Sequence, residues 1–249
     1  VMLERAYVER SHGRVASARD LFRQITRDTD SLEAHVGYIE AALELGDEPD
    51  ALIRDYRRRF DRADPIEAFA EAYVTARGLD RVRDPTRHAA QVEHARTLLR
   101  PVAEALPRSP EVHHLYAYLA HRHFHRTGDK EAAMAAHGRY HLALDLAPND
   151  PRRRASLLSE LGLLQAALGN HRIASKHFAQ RERLPFVDPH SELAFRLAKA
   201  RSLFHAGAYA EARAETTVAR GLVEREPTLT RFAPLVLDRA ALYHYASDD

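Results

Sequence analysis

The chain of 249 residues has no cysteine, and only three of its 37 basic residues are lysine. Without cysteine there are no disulfides, no thiolate metal sites and no cysteine nucleophile, and the redox compartment is left undecided. Neither sign of charge prevails. The 37 basic and 36 acidic residues leave a formal +1, so no global field steers the chain toward nucleic acid or an anionic membrane. No stretch approaches 18 consecutive apolar residues, so nothing reads as a membrane span. The opening VMLERAYVER carries charges where a signal peptide needs an unbroken apolar run. A cytoplasmic protein without membrane insertion is the expectation. Nucleophile elbows, P-loops and GxGxxG turns are missing too, so neither an enzymatic activity nor a bound cofactor is expected. The preference for arginine, with abundant alanine, reads as the signature of a GC-rich bacterial genome rather than a binding role.

Glycine is scarce as well, ten in all, yet six stand on a ladder: Gly13, Gly46, Gly78, Gly128, Gly169 and Gly207. Each except Gly78 is followed five residues later by alanine, at Ala18, Ala51, Ala133, Ala174 and Ala212. The first two gaps are 33 and 32 residues, a period that marks a repeated supersecondary unit rather than one closed core. The clearest unit runs from Leu158 to Phe186. Leu161, Leu164, Ala167 and Leu168 share one helical face, Gly169-Asn170 ends that helix, and Ile173, Ala174, His177 and Phe178 form the stripe of a second. Pro185 closes the unit. Gly162 and Ala174 are small where the two backbones approach, and Phe178 fills the space toward the next unit.

These residues resemble the tetratricopeptide repeat through Leu161-Gly162, Gly169, Ala174 and Phe178. The match recurs at Ala200, Leu203, Gly207, Tyr209, Ala212 and Ala219, at Ala6, Gly13, Val15, Ala18 and Phe22, and at Tyr38, Ala42, Gly46 and Ala51. In the last of these units the later aromatic position holds Asp55, with Tyr56 one residue on. The resemblance covers nearly the whole chain. It implies an all-α fold: an α-solenoid of about six antiparallel helix hairpins in a right-handed superhelix, with a C-terminal capping helix over LTRFAPLVLDRAALYHY. The units fall at 1–30, 31–63, 64–110 with an insertion over 79–90, 111–150, 151–186 and 187–226, with the cap at 227–249. In the third unit the partner helix is expected to resume near Gln91, with Ala95 in the alanine slot. In the fourth, the second helix is expected from about Lys130 to Leu146. A chain that opens within a helix also suggests a piece of something longer.

By the same resemblance, the first helix of each hairpin lines a concave groove. The groove residues are then Leu115, Tyr118, Arg122, His125 and Arg126 in the fourth unit, Ser159, Leu163 and Ala166 in the fifth, and Leu197, Arg201, Phe204 and His205 in the sixth. Arginine among aromatic and apolar side chains suits an extended protein or peptide segment bearing an acidic side chain or a free carboxylate. A protein-binding scaffold or adaptor within a larger assembly is the leading expectation, and the sensing domain of a regulator is a related one.

Sixteen histidines are the unusual feature, seven of them between His113 and His141. His121 and His125, and His137 and His141, are two pairs at four-residue spacing, the geometry of metal-binding helices. They make a metal- or cofactor-binding protein the alternative, set against ordinary packing and surface histidines. A run of Arg54, Arg57, Arg58, Arg59 and Arg62 follows an acidic stretch from Asp28 to Asp50. It is read as a face pairing with Asp55, Asp61 and that acidic stretch rather than as a nucleic-acid surface.

Overall fold

The computed structural model describes residues 1–60, 64–186 and 188–245, and of Asp80 the backbone alone. Among these residues there are thirteen α-helices and no strand. Contacts divide the chain into two compact units, Val1–Leu146 and Ala147–Asp249, so the solenoid expected over 1–249 is described in two parts. The first carries α1 (Met2–Ser11), α2 (Val15–Asp28), α3 (Leu32–Glu44), α4 (Pro49–Arg59), α5 (Pro65–Gly78), α6 (Pro85–Ala105), α7 (Pro110–Thr127) and α8 (Lys130–Leu146). The second carries α9 (Pro151–Ala167), α10 (His171–Glu182), α11 (Pro189–His205), α12 (Tyr209–Arg225) and α13 (Ala233–Tyr245).

Local chemistry sets most boundaries. Asp64, Asp84, Ser109, Asp150 and Asp188 each accept a backbone N–H in the first turn of the helix that follows, and each is succeeded by proline. A side-chain acceptor satisfies an otherwise orphaned donor, and proline has no N–H to lose there. At the other ends, Gly13, Gly46, Gly128, Gly169 and Gly207 take φ values of 73° to 91°, the left-handed region that other residues adopt at a cost. Gly78 differs: its φ is −80°, and the chain runs on into a 3-10 turn at Leu79–Arg81. The excursion expected over 79–90 is therefore mostly helix. α6 begins at Pro85, six residues before Gln91, because Asp84 caps the Arg87 N–H at 2.6 Å.

In the first unit, α1 packs on α3, α3 on α5 and α5 on α7, while α2, α6 and α8 close the hairpins. One core runs through it, from Ala6, Ala18 and Phe22 by Ile39, Phe69 and Val74 to Leu99, Leu115 and Leu119. In the second unit, Phe178 lies against Gly162, where an added Cβ would come within 2.4 Å of its ring. Its edge meets Phe195 of α11 at 5.8 Å between centroids. The same aromatic thus seals its own hairpin and the next one. A 3-10 turn at Pro227–Phe232 precedes α13. Leu229 and Val236 pack on Leu193, Ala219 and Leu222, and Tyr243 packs on Ala200 and Ala212, as a terminal cap should.

Candidate functional site

Counting back from the hinge glycines picks out one face of the first helices. Six and two residues before Gly46, Gly128 and Gly207 stand Glu40 and Glu44, Arg122 and Arg126, and Arg201 and His205. A four-residue separation puts both members of each pair on one side of the helix. In the hairpin without a glycine hinge, the register slips by one, to Tyr73 and Arg77.

In the first unit these positions form a continuous polar row. Arg10 donates to Glu40 Oε2 at 2.5 Å and to Glu44 Oε2 at 3.1 Å, and Tyr73 donates to Glu40 Oε1 at 2.7 Å. Glu40 is thereby gripped from the helix before and the helix after. Burial pushes its pKa up, but the Arg10 and Arg77 guanidinium groups and the Tyr73 hydroxyl outweigh it and hold the carboxyl below the ordinary range. Burial beside this carboxylate drives the Tyr73 phenol well above its usual value, so it stays a donor. Arg77 feels the fields of Tyr73, Glu40 and Tyr118. Arg122 lies over the Tyr118 ring at 5.7 Å, carrying the row onto α7. A cavity of about 380 Å³ opens along it, lined by Arg10, Glu40, Glu44, Val74, Arg77 and Arg81 among others.

A second cavity, of about 270 Å³, is formed by the 3-10 turn, the start of α6 and the end of α7. Leu79, Val82, His88, Arg122, His125 and Arg126 line it. Three of the residues expected in the groove meet here. His125 stacks on His121, with ring centroids 4.9 Å apart. His88 is 5% exposed, and its Nδ1 has no hydrogen-bond partner. Burial, with the charges of Arg126 and His123, lowers its pKa and favours the neutral ring.

The other expected residues fare differently. Leu115 is 4% exposed and belongs to the core, because it faces the packed layer rather than the polar row. Tyr118 packs at the edge of that core beneath Arg122. In the second unit, Ser159 and Leu163 line a cavity of about 450 Å³ with Arg152, Ser156, Phe195 and Ala198, while Ala166 packs beside Phe178 and Phe195. Leu197 supports the core under the cap, and Phe204 is stacked by Tyr243 of α13 at 4.7 Å. His205 stacks on His171 at 4.9 Å, and Arg201 is exposed. Arg10, Glu40, Glu44, Tyr73 and Arg77 of the row, and His88 in the second cavity, are not among the groove residues expected from the sequence. The hinge register would have flagged Glu40; His88 has no sequence signal.

The histidine pairs do not converge. His121 Nδ1 is hydrogen-bonded to Tyr140 Oη at 3.2 Å within its hairpin, and His137 and His141 face each other at 4.5 Å on α8. Among the described residues, no group of three or more histidine, aspartate or glutamate side chains is placed to hold one metal ion. In the arginine run, Arg57 pairs forward with Glu71 at 2.7 Å and Glu67 at 3.5 Å, and Arg59 pairs with Asp55 and donates to Thr26. Asp61 and Arg62 lie outside the described residues. No described helix is long and apolar enough to cross a membrane.

No protein-family model matches the chain, and no curated protein does. Solved structures do. A thermophilic TPR protein of Thermus thermophilus aligns with a TM-score of 0.53 at 18% identity, over 82% of this chain and 97% of that one. The human IFIT1 dimer with PPP-AAAA aligns with a TM-score of 0.47 at 15% identity, over 94% of this chain and 65% of that one. With glycine-hinged hairpins stacked in order within each unit, the chain has the all-α solenoid fold of tetratricopeptide-repeat proteins.

Proposed function

We propose that this chain is a non-catalytic protein-binding array, a scaffold or adaptor that holds an extended segment of a partner along the inner row of its first unit. The observation that carries this reading is the row itself. Arg10, Glu40, Tyr73, Arg77, Tyr118 and Arg122 come from α1, α3, α5 and α7 and share one polar surface flanked by two cavities. Side chains from four successive first helices are aligned along it, which supports recognition of an extended ligand rather than a contact within one hairpin. Alternating donors, acceptors and aromatic faces match the amides and side chains of an extended peptide. The carboxylates of Glu40 and Glu44 in the row oppose a polyphosphate backbone, which favours protein over nucleic acid.

The test is selection of peptides from a displayed random library on the wild-type chain, followed by titration against variants. Arg122→Glu should weaken the selected peptides at least tenfold, whereas Lys176→Glu, exposed on α10, should not. Peptides that bind Arg122→Glu as well as wild type would overturn the assignment, as would failure of the library to yield any binder.

A further inference from the structure

The second unit holds a cavity of another kind, about 450 Å³, bounded by α9, α10 and α11. That volume falls within the roughly 300–1,000 Å³ of small-molecule sites, whose walls are mostly apolar with a few placed polar groups. Phe178, Phe195 and Leu163 line it together with three alanines, Ala155, Ala194 and Ala198. Arg181 lines it as well, from the last turn of α10, and is only 5% exposed. Its guanidinium lies 4.1 Å from the centroid of the Phe186 ring and 5.6 Å from that of Phe195. One edge is held in place, where Nη1 donates to the Leu184 carbonyl at 2.9 Å. The acids of the flanking segments have other partners. Glu192 is paired with Arg196 at 3.3 Å, Glu182 with Lys199 at 2.5 Å, and both oxygens of Asp188 accept from Ser191. Burial lowers the Arg181 pKa, and the opposing field of Glu192 is too weak to restore the ordinary value.

The charges of the wall decide the class of ligand. Two guanidinium groups, Arg152 and Arg181, and one carboxylate, Glu160, line the cavity, two positive charges less one negative. A cation would be repelled by Arg181. A neutral molecule would leave the buried guanidinium without a counter-charge. A phosphoryl group, close to two negative charges at neutral pH, would bring more charge than the wall balances. A carboxylate carries one charge and offers two oxygens in the plane of a guanidinium fork. Ser156 adds a hydroxyl from α9, and the aromatic rings and alanines are left to face an apolar body. We infer that this cavity binds a small monocarboxylic acid with an aryl or branched alkyl body, the carboxylate on Arg181 and the body against Phe178 and Phe195. The site shares no residue with the inner row of the first unit and does not depend on the function proposed for it.

The experiment is an NMR titration at neutral pH of the whole chain, labelled with 13C at the alanine methyl groups. 3-Phenylpropanoate is the probe. Its amide removes the charge, propanoate removes the aryl body, and phenyl phosphate replaces the carboxylate by a dianion. The expected result is a saturating shift of the Ala155, Ala194 and Ala198 methyl signals, with 3-phenylpropanoate binding at least tenfold tighter than each of the other three. Arg181→Met should weaken the probe at least tenfold. Because Arg181 also holds the Leu184 carbonyl, a second variant fills the cavity instead: Ala194 is exposed, and Ala194→Phe should abolish the response. Unmoved signals from the buried Ala212 and Ala219 show that each variant is folded. An amide that binds as tightly as the acid would overturn the carboxylate assignment, and propanoate matching the probe would overturn the apolar body. Phenyl phosphate matching it would overturn the choice of a monoanion. No saturating shift at the three alanines, or an unchanged response in Ala194→Phe, would remove the site altogether. None of the probes is a peptide, so the outcome here and that of the peptide selection are independent.

Discussion

Tyr73 and Glu40 face each other across 2.7 Å, phenol to carboxylate, and Arg10 closes on the same carboxylate from the preceding helix. Tyr73→Phe removes a partly buried charge-assisted donor, so it should cost about 1.5–3 kcal/mol in chemical denaturation. It should also raise the Glu40 pKa. Because the folded-state carboxyl sits below its ordinary value, its contribution is full above about pH 4.3 and is lost as pH falls toward the folded value. Glu40→Gln should therefore flatten the acid limb of the stability curve, measured by urea unfolding at successive pH values. An acid limb unchanged in that variant would remove Glu40 as its source.

His35 gives a second, separate window. It is fully buried, hydrogen-bonded through Nδ1 to Tyr56 Oη at 2.9 Å, and held by burial and by Arg59 at a pKa of about 4. The unfolded chain takes up a proton near the ordinary value of 6.5, where the folded chain refuses it. Stability from this group is thus complete above about pH 6.5 and declines as pH falls to about 4, by about 3 kcal/mol in all. His35→Gln should abolish the slope between those values while keeping a partner for Tyr56. A His35 ring that titrates normally by NMR would refute the prediction.

The hinge glycines separate into two kinds that a single substitution distinguishes. Gly128 has φ 73°, so Gly128→Ala should lower stability by about 1–2 kcal/mol. Gly78 has φ −80° and nothing within 4 Å of an added Cβ, so Gly78→Ala should raise stability by about 0.4–1 kcal/mol. Equal effects at the two sites, read by thermal or urea unfolding, would contradict the difference in backbone conformation.

At Gly162 the constraint is space rather than backbone. An added Cβ meets the Phe178 ring at 2.4 Å, so Gly162→Ala should destabilise by about 1–3 kcal/mol. Phe178→Leu in the same chain should make the alanine less costly, because the two positions share one contact. Purely additive effects in a double-mutant cycle would show that the overlap is relieved elsewhere.

Much of the architecture is legible in the sequence, because its punctuation is chemical. Five of the six ladder glycines sit at left-handed turns, and the residue missing its alanine five positions on, Gly78, is the one that does not. The start of α6 is legible in Asp84-Pro85, a cap followed by proline, whereas the register of the repeat points to Gln91 instead. Of the residues that the family resemblance puts in the groove, Arg122, His125 and Arg126 line one cavity of the first unit and Leu163 lines a cavity of the second. The assignment fails at Leu115, because one helix face separates core from groove by a single residue step of about 100°. Phe204 was lost to tertiary contact alone: no local pattern says that Tyr243, 39 residues later, will stack on it. Glu40 and Tyr73 belong to helices rich in apolar residues, where their polarity looked incidental until neighbouring helices brought Arg10 beside them.

The row along the first unit is assembled from unlike parts, so it has no translational symmetry of its own. A strand displaced by one hairpin would exchange guanidinium for carboxylate at Arg10 and Glu40, and carboxylate for phenol at Glu40 and Tyr73. Identical units would offer several equivalent alignments and let a ligand slip between them. Here the steps from α1 to α3 and from α3 to α5 each change the chemistry, so a segment held along the proposed row would lose its matching contacts at that end on shifting by one hairpin.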